Sequence, residues 1–313
     1  MTEVVTFGET MALIKADTPG PLAHVRGMSL GIGGAESNFA IALARLGTSV
    51  TWVGRVGHDS FGDLVLREIG AEGVRVVCAR DEQAPTGLMI KERRTDELLR
   101  VWYYRAGSAG SRLSPADIPV DVVSGSRLLH VTGITPGLSA SAAEATFAAV
   151  EIASAAGVTV SFDLNYRAKL WGPEQAAAVF RSLVERADVV FAGEDEAALV
   201  VGAAEASLQA QRLADLGPAE VVIKRGRDGA LALVDGVCHQ RPAVPIRAVD
   251  TVGAGDAFVA GYVAELLAGL GPAARLDTAV RVGAFACLVT GDWEGLPRRD
   301  ELNLLEATEP VSR

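Results

Sequence analysis

The chain has 313 residues, of which 49% are hydrophobic and only 5% aromatic, and it contains 34 glycines. This composition exceeds what a small binding module needs. It predicts a large core of Val, Leu, Ile and Ala between many tight turns, as in parallel-sheet enzymes. The formal net charge of −10 argues against nucleic acid and anionic membranes as partners.

The N-terminal residues 1–9 carry acids and a strand pattern, whereas a signal peptide has a basic start and an apolar run. Later apolar stretches are too short to cross a bilayer because acidic side chains such as Glu151 and Glu265 interrupt them. The three cysteines, at positions 78, 238 and 287, lack a C-x-x-C spacing, which predicts buried thiols and neither disulfides nor a zinc site. Together these features predict a cytoplasmic protein.

Short β-branched runs then alternate with Ala- and Leu-rich helical stretches along most of the chain. The strand patterns lie at residues 49–57, 127–134, 159–165, 188–193 and 220–226, and the last helical patterns lie at residues 254–269 and 273–290. This β-α alternation predicts an α/β fold in which helices cover both faces of a mostly parallel central sheet.

Two stretches break this alternation. Residues 11–16 read MALIKA, and residues 87–94 and 98–105 read GLMIKERR and LLRVWYYR around a polar turn at residues 94–97. Apolar and polar residues alternate there without an intervening helix, which predicts strands of a hairpin. Two placements stay open: a small separate sheet that covers a cleft, or an extension of the main sheet.

Residues 249–269 read VDTVGAGDAFVAGYVAELLAG, where a strand ends and a helix begins near Ala254. Gly253 and Gly255 leave backbone N–H groups unobstructed at the positive end of the helix dipole, which suits the developing charge of a phosphoryl group. Asp256 follows in the first turn, where a carboxylate can take a proton from an attacking hydroxyl. An acid in a first turn also commonly does no more than complement the dipole, so these residues alone leave both interpretations open.

The run DTVGAGDAFVAG at residues 250–261 resembles the C-terminal signature of the ribokinase-like, or phosphofructokinase B, family of carbohydrate kinases. The run GIGGAESNFAIALARLG at residues 31–47 resembles the N-terminal motif of that family, and the resemblance extends from Phe7 to about Pro297. It implies a ribokinase-like three-layer α/β/α sandwich, residues 1–313 as a single kinase domain, and a small β-sheet lid with strands at about residues 11–16 and 87–105.

The family resemblance also implies a reaction and a set of site residues. It implies ATP-dependent phosphorylation of a sugar, with Asp256 as general base and the backbone amides of residues 253–255 as anion hole. Gly33 and Gly34 would let the sugar approach the backbone, and Asn38 would hydrogen-bond its hydroxyls.

On the nucleotide side, residues 220–236 resemble the family's strand that enters the ATP site, although a K-R-G-x-x-G run alone is equally typical of an ordinary hairpin. The cofactor-binding candidates are Asn165, Lys224, Gly226, Gly229, Gly253 and Gly255. Mg²⁺ is expected because ATP phosphates need a cation. The family's Asn-x-x-Glu motif orders it through water, and here Gly193 replaces the Asn, so the protein ligands of the metal stay unassigned and Glu196 is a candidate that would act through water.

Residues 102–115, 163–167 and 291–297 resemble the 2-keto-3-deoxygluconate kinases of the family. That resemblance implies conversion of 2-keto-3-deoxygluconate to 2-keto-3-deoxy-6-phosphogluconate. The substrate is a sugar acid, and guanidinium groups such as those of Arg105 and Arg167 are the side chains best suited to bind its carboxylate. Met89 stands where relatives often have Tyr. The substrate-binding candidates are therefore Gly33, Gly34, Asn38, Met89, Tyr103, Arg105, Arg167 and Asp292.

Two other functions stay open from the sequence. The chain is also compatible with a neutral-sugar kinase of the same family, in which the arginines are structural, and with a catalytically silent protein that binds sugar or nucleotide. Exposed apolar residues such as Leu99 and Trp102 in the lid strands predict pairing of two subunits through the lid, hence a homo-oligomer.

Overall fold

The computed structural model describes residues 2–95 and 98–306, so two residues of the turn predicted at 94–97 lie outside it. The strands within these ranges are β1 Val4–Phe7, β2 Met11–Ala16, β3 Met28–Gly33, β4 Val50–Gly57, β5 Arg75–Asp81, β6 Leu88–Arg93, β7 Leu99–Tyr104, β8 Leu128–Thr132, β9 Thr159–Asp163, β10 Val189–Gly193, β11 Glu220–Lys224, β12 Ala230–Val234 and β13 Val237–Arg241. The α-helices there are α1 Ala35–Arg45, α2 Ser60–Ala71, α3 Val120–Ser124, α4 Ala140–Ala155, α5 Pro173–Val184, α6 Glu194–Val201, α7 Ala206–Ala214, α8 Ala254–Leu267 and α9 Pro272–Ala286.

In the described part of the chain, nine strands form the main sheet, in the order β13-β12-β11-β10-β9-β8-β1-β4-β5. From β11 to β5 all neighbours are parallel, and only β12 and β13 add antiparallel pairs at one edge. The predicted mostly parallel sheet is therefore confirmed. The edge strands β5 and β13 go beyond the sequence prediction, because partly exposed edge strands carry a weaker apolar pattern.

Helices cover both faces of the main sheet, which gives three layers. Alternate residues of each strand enter opposite cores, so that Val4 and Val189 pack on the face covered by α1, α2, α8 and α9. Their neighbours Val5 and Val190 pack on the face covered by α4, α5 and α7. In this arrangement the carboxyl ends of the parallel strands meet along one edge of the sheet, where α/β proteins build their sites.

Four strands form a second, mixed sheet in the order β3-β2-β6-β7, which we call the lid sheet. The strands at residues 11–16, 88–93 and 99–104 thus lie together and do not extend the main sheet. The strand β3 was not predicted, because its three-residue GIG end resembles a turn. One face of the lid sheet packs Met11 and Met89 inward, whereas the other exposes Leu30 and Trp102.

Some predicted details of the helices and thiols are wrong. The helix α9 ends at Ala286 and not near residue 290, because the glycine-rich segment that follows has an irregular course. Cys238 is exposed on the edge strand β13 and Cys78 is half-buried, so only Cys287 is the buried thiol that was expected. Across residues 2–95 and 98–306, no helix combines the length and the apolar character needed to cross a bilayer.

Candidate active site

A cavity of about 930 Å³ lies between the carboxyl ends of the main-sheet strands and the lid sheet. The lid residues Met89 and Tyr103 line one side of it, and Gly253 and Asp256 line the other. All eight predicted substrate-binding residues lie around this cavity: Gly33, Gly34, Asn38, Met89, Tyr103, Arg105, Arg167 and Asp292. The volume suits a small sugar together with the end of a nucleotide.

The first turn of α8 lines the cavity on the main-sheet side. Gly253 precedes the helix with a φ of +80°, and a Cβ there would lie 2.1 Å from the carbonyl oxygen of Asp292, so the position requires glycine. Ala254 and Gly255 stand between two cavity-lining residues, and their N–H groups belong to the helix start that lacks intrahelical acceptors. This turn can receive an anion.

Asp256 is buried, with 9% of its surface exposed, yet it lines the cavity. The side-chain Nδ2 of Asn38 donates to its Oδ2 at 2.9 Å, and the Nδ2 of Asn165 donates to its Oδ1 at 3.2 Å. Both of these donors are neutral amides, so they orient the carboxylate without a permanent salt link. Asn165 was predicted only as a cofactor-binding residue, and its contact with Asp256 was missed.

The surroundings of Asp256 control its protonation. Burial raises the pKa of Asp256 to about 7, although the hydrogen bond from Asn38 and the charges of Arg167 and Lys224 oppose that increase. The nearby carboxylate of Asp163 acts in the same direction as burial. A carboxyl group with a pKa near the working pH is suited to act as a general base.

Lys224, at the end of β11, brings a positive charge to the start of α8. Its Nζ lies 2.6 and 2.8 Å from the two carboxylate oxygens of Asp163 at the end of β9. A Cβ added at Gly255 would lie 3.9 Å from the same Nζ, so the ammonium group faces the predicted anion hole. Burial alone would lower the pKa of Lys224, but Asp163 and Glu196 raise it, so the charge persists.

Both carboxylate oxygens of Glu196, the metal candidate, accept hydrogen bonds from backbone N–H groups. The N–H of Gly193 donates to one of its carboxylate oxygens at 2.6 Å, and the N–H of Tyr166 donates to the other at 2.9 Å. Throughout the described residues, no three His, Cys, Asp or Glu side chains converge as a metal site. Glu196 therefore joins the ends of β9 and β10.

The K-R-G-x-x-G run connects β11 to the antiparallel β12 in a hairpin at the same edge of the sheet. Gly226 and Gly229 have φ values of +53° and +89°, and a Cβ at Gly229 would lie 2.0 Å from the carbonyl oxygen of Arg241. The hairpin interpretation and the nucleotide interpretation are thus compatible, since the turn lies just beyond Lys224.

Arg105 follows the lid strand β7 and is held by an acid that was not predicted. The guanidinium Nη2 lies 2.6 Å from Oε2 of Glu9, whose side chain is fully buried at the end of β1. Ser108 also donates to Glu9, and the ring of Tyr103 lies 5.8 Å from the guanidinium carbon of Arg105. A buried acid directly after the first strand of a parallel sheet was the signal for Glu9.

Gly33 allows three parts of the chain to meet at the cavity. A Cβ at Gly33 would lie 2.2 Å from Cε of Met89 and 2.4 Å from Oδ2 of Asp292. Arg167 lies opposite, exposed, in the segment that follows β9, where it donates to the carbonyl oxygen of Tyr166 at 3.2 Å. The cavity therefore has one arginine bound to an acid and one that is open to solvent.

A buried cluster beneath the lid sheet also escaped prediction. The Nζ of Lys91 lies 2.8 Å from Oδ2 of Asp250 and 2.7 Å from Oδ1 of Asp292. The period-two alternation of β6 places Lys91 on the same face as Met89 and was the available signal.

Residues 1–299 match the family described as pfkB family carbohydrate kinase. The 2-dehydro-3-deoxygluconokinase of Bacillus subtilis is 38% identical over 312 residues, covering 96% of this chain and 94% of that protein. The protein of the same name from Thermoproteus tenax is 35% identical over 314 residues, covering 98% and 95%. The crystal structure of a 2-dehydro-3-deoxygluconokinase from Thermotoga maritima has a TM-score of 0.91 and 27% identity, covering 98% of this chain and 100% of that chain.

These similarities confirm the predicted ribokinase-like fold and the predicted carbohydrate kinase activity. The family match at residues 1–299 includes the strands of the lid sheet and the first turn of α8. The chain belongs to the pfkB family of carbohydrate kinases.

Proposed function

We propose that the protein transfers the terminal phosphoryl group of ATP to a sugar acid, namely 2-keto-3-deoxygluconate, to give 2-keto-3-deoxy-6-phosphogluconate. One observation carries the proposal: a single cavity has a buried carboxyl group at a helix start on one side and Arg105 on the other. The relatives named 2-dehydro-3-deoxygluconokinase, at 38% and 35% identity, support the same substrate.

The sugar acid would lie across the cavity. Arg105, oriented by Glu9, and the exposed Arg167 would hold its carboxylate, and Asn38 would contact its hydroxyl groups. Guanidinium groups suit this role because their fixed fork of donors matches the two carboxylate oxygens. This binding directs the far hydroxyl of the sugar acid toward Asp256.

Asp256 would take the proton of that hydroxyl as the oxygen attacks the terminal phosphorus of ATP. A new O–P bond forms, the bond from the same phosphorus to the bridging oxygen of ADP breaks, and ADP leaves with the electron pair. The backbone amides of residues 253–255 would donate to the oxygens of the transferred group. The pKa of Asp256, raised by burial to about 7, allows the ionised form at neutral pH.

ATP would lie over Lys224 and the turn of Gly226 and Gly229. The ammonium group of Lys224 faces Gly255, which fits a phosphate chain at the start of α8. Mg²⁺, when bound, would screen the phosphate charge. Its ligands would be mostly phosphate oxygens and water, with Glu196 acting through water, because no three-carboxylate cluster occurs in the described ranges.

A coupled assay of ADP release would test the substrate. We expect a higher kcat/KM for 2-keto-3-deoxygluconate than for fructose, ribose and adenosine. Faster turnover of a neutral sugar or nucleoside would reject the sugar-acid substrate, retain the kinase, and assign the ion pair of Arg105 and Glu9 a structural role. Calorimetry that detects sugar binding without ADP release from any substrate would instead support a silent binding protein.

We also propose that two copies pair through the exposed face of the lid sheet. Leu30 and Trp102 are about half exposed on that face, at 55% and 48%, on the two outer strands β3 and β7. Light scattering should detect a dimer that Leu30→Glu dissociates, and a monomeric wild-type protein would reject the pairing.

A further inference from the structure

Lys91 carries a positive charge into the interior below the lid sheet. Its side chain is 5% exposed, and the side chains of its partners Asp250 and Asp292 are 1% and 5% exposed. Burial alone would lower the pKa of Lys91, but the two carboxylates raise it above its ordinary value, so the group stays charged. Burying three ionisable groups together is unfavourable unless each is paired, so the cluster calls for a functional explanation.

Both acids that bind Lys91 contact the turn that leads into α8, Asp250 through its side chain and Asp292 through its backbone. Asp250 accepts hydrogen bonds from the N–H of Val252 at 3.1 Å and from the N–H of Gly291 at 3.2 Å. The backbone carbonyl of Asp292 packs against Gly253, where an added Cβ would lie only 2.1 Å from its oxygen. Lys91 is therefore linked to Val252 through Asp250 and to Gly253 through Asp292.

Lys91 is not one of the residues that line the main cavity, although Met89, two positions earlier on the same strand, is. A second cavity of about 180 Å³ reaches Lys91 and Asp250, and Lys15 also lines it. The strand β6 therefore contacts the substrate cavity through Met89 and the base of the anion hole through Lys91.

We infer that Lys91 is a positioning residue that fixes the amides of residues 253–255 through Asp250 and Asp292, and so couples the lid sheet to phosphoryl transfer. The inference rests on the proposed function of Asp256 and the anion hole. Transition-state stabilisation depends on donors held in place before the reaction, and a displacement of about 1 Å can lower a rate about a hundredfold. Without the ammonium group of Lys91, the carboxylates of Asp250 and Asp292 would repel each other and move apart beside Gly253.

The test is chemical rescue of Lys91→Ala in the coupled assay. We expect kcat to fall at least about tenfold while the KM for ATP changes less than about threefold. Ammonium or ethylammonium chloride should restore kcat, because the shortened side chain leaves space between two carboxylates that the second cavity connects to the surface. Tetramethylammonium chloride at equal ionic strength should not, since it is too large and cannot donate hydrogen bonds.

Two further variants separate positioning from folding. Lys91→Met keeps the volume, so it should fold if the alanine variant does not, and it should lose kcat without rescue. Lys15→Met removes the neighbouring lid lysine, which pairs with Glu294, and should keep wild-type kcat. Circular dichroism would verify that each variant is folded.

A kcat within about twofold of wild type in folded Lys91→Met, or a loss in Lys91→Ala that no small cation restores, would overturn the inference. An unchanged kcat in Asp256→Asn would instead overturn the proposed function. The two failures are distinguishable because Lys91 and Asp256 are changed in separate proteins.

Discussion

The two sides of the cavity are built differently. On the main-sheet side, Asp256 is buried and accepts hydrogen bonds from the buried amides of Asn38 and Asn165, and the buried Asp163 is paired with Lys224. On the lid side, Tyr103 remains 41% exposed and other aromatic side chains of its strand are also open to solvent. The difference indicates that the groups proposed for phosphoryl transfer are held in place before substrate arrives, whereas the lid side presents a more accessible surface.

Burial also has different consequences for the acids on the two sides of the cavity, Asp256 and Glu9. For Asp256 it disfavours the charged form and raises the pKa of the carboxyl group to about 7. For Glu9 it excludes water from the ion pair with Arg105, which orients the guanidinium group toward the cavity. A variant of the buried polar groups on the main-sheet side should therefore change kcat, whereas a variant of the lid residues that line the cavity should change KM or substrate preference.

The largest expected effect comes from Asp256→Asn. The amide keeps the shape but cannot take a proton, so we expect kcat to fall about a hundredfold or more while calorimetry still detects sugar binding. Asp63, an exposed acid in the first turn of α2, is the matched control, and Asp63→Asn should leave kcat unchanged. A variant of Asp256 that keeps a third of the activity would mean that this acid only complements the helix dipole.

The next effect is a pH dependence set by the same group. Since Asp256 must be ionised to act as a base, kcat/KM should rise about tenfold per pH unit up to about pH 7 and then level off. Asp256→Asn should lose this dependence. A flat profile between about pH 5 and 8 in the wild type would contradict a titrating base with this pKa.

The free energy of unfolding should depend on pH in the opposite direction to kcat/KM. The folded pKa of Asp256 lies above the unfolded value, so its contribution favours folding at low pH and is lost as pH rises through about 7. Asp256→Asn should therefore be more stable than wild type at about pH 8, by roughly 2–4 kcal/mol, with a smaller gain at about pH 5. Melting temperatures at both values would measure the difference.

The sequence predicted the main-sheet side better than the lid side for a physical reason. The proposed anion hole and Asp256 are neighbours in one helix start, so the local sequence is enough to predict their geometry. By contrast, Glu9 and Arg105 are 96 positions apart, and Lys91 and Asp250 are 159 apart, so their pairing depends on how the lid sheet packs. Resemblance identified single residues such as Asn38, but not their bonds to one another.

On the lid side, Arg105→Lys should lower kcat/KM for the sugar acid about tenfold. Lysine still neutralises Glu9 but cannot present two parallel donors to a substrate carboxylate, so the loss should be confined to acidic substrates. Arg100→Lys, on the same strand but exposed, is the control and should have no effect. An equal loss for neutral sugars would mean that Arg105 supports the fold and does not recognise the carboxylate.

The smallest expected effect is that of Tyr103→Phe, which removes one hydroxyl from the open side of the cavity. A hydrogen bond made at a half-exposed position contributes little, so the KM for the sugar acid should rise about two- to fivefold with kcat unchanged. Tyr104, the next residue of β7, is 62% exposed and points to the other face, so Tyr104→Phe should change neither constant. If both variants behave alike, the alternation of the strand does not determine which tyrosine meets the substrate, and recognition rests on Arg105 and Arg167 alone.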